Sequence, residues 1–162
     1  MIIKLSTMSR QEIENILSAQ ILCRIAFKGA DYPYIAPFQY VYMDSVLYFH
    51  FTDYGRKMKM LKEDNRVCVE IEKLSPDLSD YFFVTLRGRL RLVEDSEERT
   101  SVIRRMAEEG KQKLSPNFLA AHGLKSEDGW SSLTPEKPLV ILKLDVVDEM
   151  GLKSLEYHGK FG

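Results

Sequence analysis

The sequence predicts a mainly β chain with flanking helices, an α+β fold in which about six antiparallel strands close into a small barrel. Two observations predict it. Short runs of alternating apolar and polar residues follow one another, separated by compact turns. No strand-GxGxxG-helix unit occurs, which argues against a doubly wound parallel sheet. The 162 residues fit a single domain, 1–162, with a sizeable core.

The elements follow in order. Ser9-Arg10-Gln11-Glu12 is a capping box, and it opens an N-terminal helix within residues 1–20 whose apolar face is Ile13, Ile16 and Leu17. Leu22–Phe27 reads as a strand, Lys28-Gly29-Ala30-Asp31 as a turn, and Tyr34–Tyr42 as the next strand. Met43-Asp44-Ser45 turns it into Val46–Phe51, completing an antiparallel meander. A short helix over Arg56–Glu63 interrupts the strands. Arg66–Glu72 resumes them, with Val67, Val69 and Ile71 on one face. Phe82–Glu94 is the longest strand: Leu86, Gly88, Leu90 and Leu92 point one way, and Thr85, Arg87, Arg89 and Arg91 the other. Asp95-Ser96-Glu97-Glu98 caps a helix carrying Val102, Ile103 and Met106. A helical or irregular piece spans Pro116 to about His122, and Gly123–Pro138 reads as loop. Leu139–Val147 is the last strand, with Val140, Leu142, Leu144 and Val146 on one face, and 152–162 reads as a loosely ordered tail.

Composition narrows the partners. Twenty-three basic and 24 acidic residues leave a net charge of −1, which speaks against nucleic acid or an anionic membrane. No run of about 18 apolar residues exists to span a bilayer. The N-terminus lacks the pattern of a signal peptide. Cys23 and Cys68 lie in apolar strand-like runs and read as reduced core thiols, so a cytoplasmic location is expected. His50, His122 and His158 lack ligand spacing, and no metal site is expected.

Residues 48–61, YFHFTDYGRKMKML, carry the chemistry. An aromatic strand runs into a polar turn, and Arg56 and Lys57 then open a helix. A helix start favours anions, so two cations there are the wrong sign for its dipole. Beside the Thr52 hydroxyl and free turn amides, they make sense around a bound anion, and a phosphate is the natural candidate. The adjacent strand holds Pro37, unusual in a central strand, at an edge or bulge where a planar ligand can approach the backbone.

The order PYIAPFQYVYMDSVLYFHFTDYGRKMKMLKEDNRVCVEIE, residues 33–72, resembles the pyridoxamine 5′-phosphate oxidase-like flavoproteins, nearest their nitroimidazole-resistance-type branch. The shared features are a PYxxPxxFxY-like strand, a YFH strand, a GRK turn and an N-R-V-C strand. The resemblance covers about residues 9–95 well and the rest loosely. It implies an FMN-binding split β-barrel that dimerises, with FMN at the subunit interface and a small-molecule substrate. By position, Arg56 and Lys57 would bind the FMN phosphate, with Thr52 beside them. Ala36, Pro37, Phe38 and Gln39 would run along the isoalloxazine, Phe51 would lie next to the ribityl chain, and Thr85 and Arg87 are weaker candidates on the neighbouring strand. His50 is either a polar, catalytic group near the flavin or a strand residue satisfied at a barrel end. The ending MGLKSLEYHGKFG lacks the arginine-containing segment of the true oxidase, so oxidation of pyridoxamine phosphate is not expected. The residues alone do not select FMN over another phosphorylated ligand. The expected function is an FMN-dependent oxidoreductase acting on a small organic, including nitroaromatic, substrate. Its rivals are a non-catalytic flavin carrier or redox sensor, or a split barrel using deazaflavin or haem.

Overall fold

A computed structural model describes residues 2–156. Its strands are β1 (Ser6–Thr7), β2 (Leu22–Phe27), β3 (Tyr34–Met43), β4 (Val46–Phe51), β5 (Arg66–Leu74), β6 (Tyr81–Leu92) and β7 (Val140–Lys153). The helices are α1 (Arg10–Ala19), α2 (Arg56–Glu63) and α3 (Ser96–Lys113), and 3-10 turns form at Pro116–His122, Ser126–Asp128 and Trp130–Ser132. The strands β7-β4-β3-β2-β5-β6 form an antiparallel ladder that closes where β6 pairs with β7, giving a six-strand barrel. The short β1 adds a seventh strand beside the end of β7.

Two apolar clusters follow from strand alternation. The inward residues fill the barrel: Ile25 and Phe27 from β2, Phe38 and Tyr40 from β3, Phe49 and Phe51 from β4, Val69 and Ile71 from β5, Leu86 and Leu90 from β6. Helix α1 closes one end with Ile13, Ile16 and Leu17, and the Tyr40 hydroxyl donates to the Leu17 carbonyl at 2.8 Å. The predicted capping box is present, with Ser9 and Glu12 each accepting from the other's backbone N–H.

The second cluster lies outside the barrel wall. Val41, Tyr48 and Ile141 face outward from β3, β4 and β7 and are covered by Val102, Ile103 and Met106 of α3, with Leu119, Trp130 and Leu133 behind them. Polar ties fix this cover. The Tyr48 hydroxyl and the Lys143 ammonium both reach Glu98 Oε1, at 2.8 and 2.9 Å. The Arg99 guanidinium donates to the carbonyls of Pro135, Lys137 and Leu139, pinning the loop that leads into β7. Trp130 is therefore a core residue, and its ring packs against Gly110 of α3.

The structure departs from expectation in four places. β7 continues through Lys153, because Leu152 and Lys153 pair with Phe83 and Phe82 on one side and with β1 on the other, so the start of the expected loose tail is ladder. Residues 157–162 of that tail, with His158, lie outside the described residues. Val146 is 45% exposed because a bulge sits beside it: Arg87 faces Asp148 and Gly88 faces Val146, leaving Val147 as the extra residue that bends the strand. Leu92, expected inward, is 53% exposed at the strand's end. Cys68 is exposed, since Val67 and Val69 take the inward positions of β5; Cys23 is buried, and burial pushes its thiol pKa up. Among the described residues no helix is long and apolar enough to cross a membrane.

Gly110 gives a direct test of the outer cluster. A Cβ there would stand 2.4 Å from the Trp130 ring. Alanine gains about 1 kcal/mol of helix propensity, but forcing a packed ring aside costs about 1–3 kcal/mol. Gly110→Ala is expected to lower Tm by a few degrees in a thermal melt; a higher Tm would show that the ring yields freely.

Candidate functional site

The barrel ladder is incomplete at one seam. β3 pairs with β4 from Tyr40↔Phe49 to Met43↔Val46 and no further toward the other end. Beyond that point Tyr34–Gln39 keeps β2 as its neighbour, while His50 and Phe51 pair with Ile141 and Val140 of β7. The two strands part, and a cavity of about 300 Å³ opens between them. Its lining includes Ala36, Pro37, Phe38 and Gln39 from β3, His50 and Phe51 from β4, and Thr52 and Lys57 beyond. Pro37 lies on this one-sided stretch, where a missing N–H costs no ladder bond on the open side.

Cations stand at the cavity's edge. The chain leaves β4 through a turn in which the Thr52 hydroxyl donates to the Tyr54 carbonyl at 2.8 Å. Gly55, with φ of +92°, then starts α2; it supplies no side-chain cap, and no acidic residue occupies the first turn. The Lys57 ammonium lies 5.1 Å from the centroid of Phe38, and the Arg56 guanidinium 5.7 Å from that of Tyr34, another lining residue. Neither cation pairs with a carboxylate among the described residues. Helix amides without a side-chain cap beside two unpaired cations make this corner one of positive potential.

The structure thus gathers Ala36, Pro37, Phe38, Gln39, His50, Phe51, Thr52 and Lys57 around one cavity, with Arg56 at its rim. Thr85 and Arg87 do not join them. Thr85 faces Glu70 and Met150 in the ladder, and Arg87 donates to Asp148 at 2.9 and 2.6 Å on the outer face of the barrel. Arg87 lines a different, larger cavity with Lys28, Cys68 and Val147. Among the described residues no three His, Cys, Asp or Glu side chains gather as metal ligands.

The sequence raises His122 only as a metal ligand, a role its spacing sets aside, and nothing there pairs it with His50. It ends the 3-10 turn at Pro116–His122 and lies against His50, ring over ring, with Nδ1 3.0 Å from Nδ1. Its Nε2 lies 2.7 Å from Gln39 Oε1, and Gln39 Nε2 donates to the Met106 carbonyl at 3.0 Å. All three side chains are buried. Seventy-two residues separate the histidines, so no local spacing signals the pair. Burial pushes the pKa of each down to about 4; for His50 the neighbouring His122 and Lys57 add to the effect.

A closed six-strand antiparallel barrel, parted at one seam to make a slot beside a cationic turn, defines the class of split β-barrel proteins. The chain belongs to the pyridoxamine 5′-phosphate oxidase family, whose model matches residues 9–135. The fold is similar to a FAD-binding protein from Mesorhizobium loti, at 20% identity and a TM-score of 0.69, covering 94% of this chain and 100% of that one. A candidate 5-nitroimidazole antibiotic resistance protein from Bacteroides thetaiotaomicron is 22% identical with a TM-score of 0.61, covering 94% and 92%. The FAD binding protein from Mycobacterium smegmatis is 14% identical with a TM-score of 0.61, covering 93% and 98%. No curated protein matches the sequence.

The histidine pair gives a pH prediction. Both folded-state pKa values lie below the ordinary 6.5, so the unfolded chain takes up protons that the folded one refuses. Stability is complete above about pH 6.5 and falls as pH drops toward 4, by up to about 1.4 kcal/mol per pH unit per histidine. Chemical denaturation at several pH values should show this slope, and His50→Gln/His122→Gln should flatten it. An equal slope in the double variant would assign the acid sensitivity elsewhere.

Proposed function

We propose that this chain is a flavoprotein that holds FMN in the seam cavity and acts as an oxidoreductase on a small organic molecule. The observation that carries the reading is the corner formed by Arg56, Lys57 and the uncapped start of α2, set at the end of a slot walled by β3 and β4. Structural neighbours described as FAD-binding support a flavin, and a single cationic corner, with Lys57 the one Lys or Arg among the described lining residues of the slot, favours the mononucleotide.

The residues present fit such a group. Arg56 and Lys57 would take the phosphate by charge-assisted hydrogen bonds. Phe51 and Thr52 would flank the ribityl chain, and Ala36 to Gln39 would run along the ring. A bound isoalloxazine supplies hydride or electron transfer. The protein's part would be to orient the ring between the lining residues of β3 and Phe118 and to exclude water from it. A nitroaromatic substrate is the specific reading favoured by the resistance-protein relative and by the YFH strand.

The working unit is a homodimer with the flavin at its interface. A cavity of about 300 Å³ is at the lower bound for sites that enclose a drug-sized ligand, so a second copy would complete the cover. Ile35, Val147 and Met150 are each at least half exposed, and Val147 lines the larger cavity of about 600 Å³. Arg87 and Asp148, which also line it, would then meet the partner.

Four measurements test this. The visible spectrum of the purified protein, with mass spectrometry of the released ligand, should show FMN; a deazaflavin or haem spectrum overturns the cofactor. Arg56→Ala/Lys57→Ala should weaken FMN binding about 10-fold or more per residue, from about 1.5–3 kcal/mol per charge-assisted bond, and unchanged affinity sinks the phosphate corner. Anaerobically reduced, FMN-loaded protein should reoxidise on mixing with a nitroimidazole, whereas a flavin that stays reduced marks a carrier. Light scattering should give a dimer, and a monomer that holds FMN tightly contradicts the interface site.

A further inference from the structure

The chain Met106–Gln39–His122–His50 fixes where protons sit. The Met106 carbonyl can only accept, so the Gln39 amide must turn its nitrogen to it and its oxygen to His122. Gln39 Oε1 accepts in turn, so the proton of a neutral His122 is on Nε2. His122 Nδ1 is then a lone pair, and the 3.0 Å contact requires His50 Nδ1 to be the donor. A neutral His50 with its proton on Nδ1 has a bare Nε2. That nitrogen has no hydrogen-bond partner among the described residues. It is not sealed either: Tyr42 Oη is the one buried side-chain atom among them found without a partner. His50 lines the seam cavity while more than nine-tenths buried. Among the described residues no carboxylate hydrogen-bonds to the pair: the rings beside His122 include Phe118 and Trp130, edge-on at 6.0 and 5.9 Å, and the charged side chain that acts on His50 is the cation Lys57.

We propose that His122 and Gln39 are positioning residues that hold His50 in its Nδ1–H form, so that His50 Nε2 recognises a neutral N–H or O–H donor on whatever occupies the seam cavity. The proposal deepens the flavin-site reading and rests on it for the ligand, but the proton arrangement belongs to the protein alone. In its resting form His50 does not donate to a nitro or carboxylate oxygen; it accepts. Its preferred partner is a hydrogen-bond donor, which either an imide N–H of the ring system or an N–H or O–H of a substrate supplies.

The test is histidine-15N NMR of the whole, ligand-free protein near pH 7.5. His50 should show a protonated, pyrrole-type Nδ1 and a pyridine-type Nε2, and His122 the reverse. A His50 protonated on Nε2, or on both nitrogens, overturns the proposal, and does so whether or not the protein binds flavin. His122→Phe removes the acceptor and should move the His50 proton to Nε2; persistence of the Nδ1–H form in the folded variant removes His122 from the role. If His122→Phe does not fold, Gln39→Met reads the same shift through the His122 tautomer. Titration with FMN and, separately, with imidazole at pH 8.5 separates the donor's source. A shift of the His50 Nε2 resonance on FMN alone assigns it to the cofactor, and on imidazole alone to the substrate position. For imidazole, 1-methylimidazole should bind about fivefold more weakly, the worth of one hydrogen bond. No shift with either probe overturns the donor-recognition role.

Discussion

The site depends on one constraint, the early end of the β3–β4 ladder. A closed barrel satisfies its backbone groups by continuous pairing. Here the pairing stops at Tyr40↔Phe49, and β4 then follows β7 instead. The parted strands are held on both faces. Inside, Phe38 and Phe51 stack at 4.7 Å between centroids and bridge the gap with apolar surface. Outside, Gln39, His122 and His50 form a buried polar chain anchored on the Met106 carbonyl. The seam is thus propped by contacts and is a formed slot in the barrel wall.

Each surrounding element serves that seam. Helix α3 covers the outward residues of β3, β4 and β7 and supplies the carbonyl on which the polar chain ends. The Glu98 contacts with Tyr48 and Lys143 register α3 against the wall, and Arg99 clamps the loop before β7. Trp130, wedged on Gly110, stands edge-on to His122 and donates from Nε1 to the Leu114 carbonyl. The histidines are therefore positioned by the outer cluster, and the cations by the turn after β4. Two different parts of the chain meet at the two ends of one cavity.

Electrostatics divides the site in the same way. The corner at Arg56 and Lys57 is cationic, uncapped and open to solvent, suited to an anion. The opposite wall is buried and neutral, because desolvation and a neighbouring cation disfavour charged histidine. Arg87, by contrast, is committed to Asp148 on a separate face, a placement that its position three residues past Val84 does not disclose.

Local sequence determined most of the scaffold. Period-two alternation set the inward face of β5, the Ser9–Glu12 box set the start of α1, and the polar turn before Arg56 marked the start of α2. These signals are local, written within a few residues of the atoms they govern. Tertiary structure decided the rest. The exposure of Cys68 and Val146, the continuation of β7 to Lys153 and the separation of Arg87 from the cavity depend on which strand lies alongside. The His50–His122 pair depends on a 3-10 turn returning over the seam from 72 residues away. Hydrogen bonding between distant segments has no period in the chain, so only the folded arrangement fixes it.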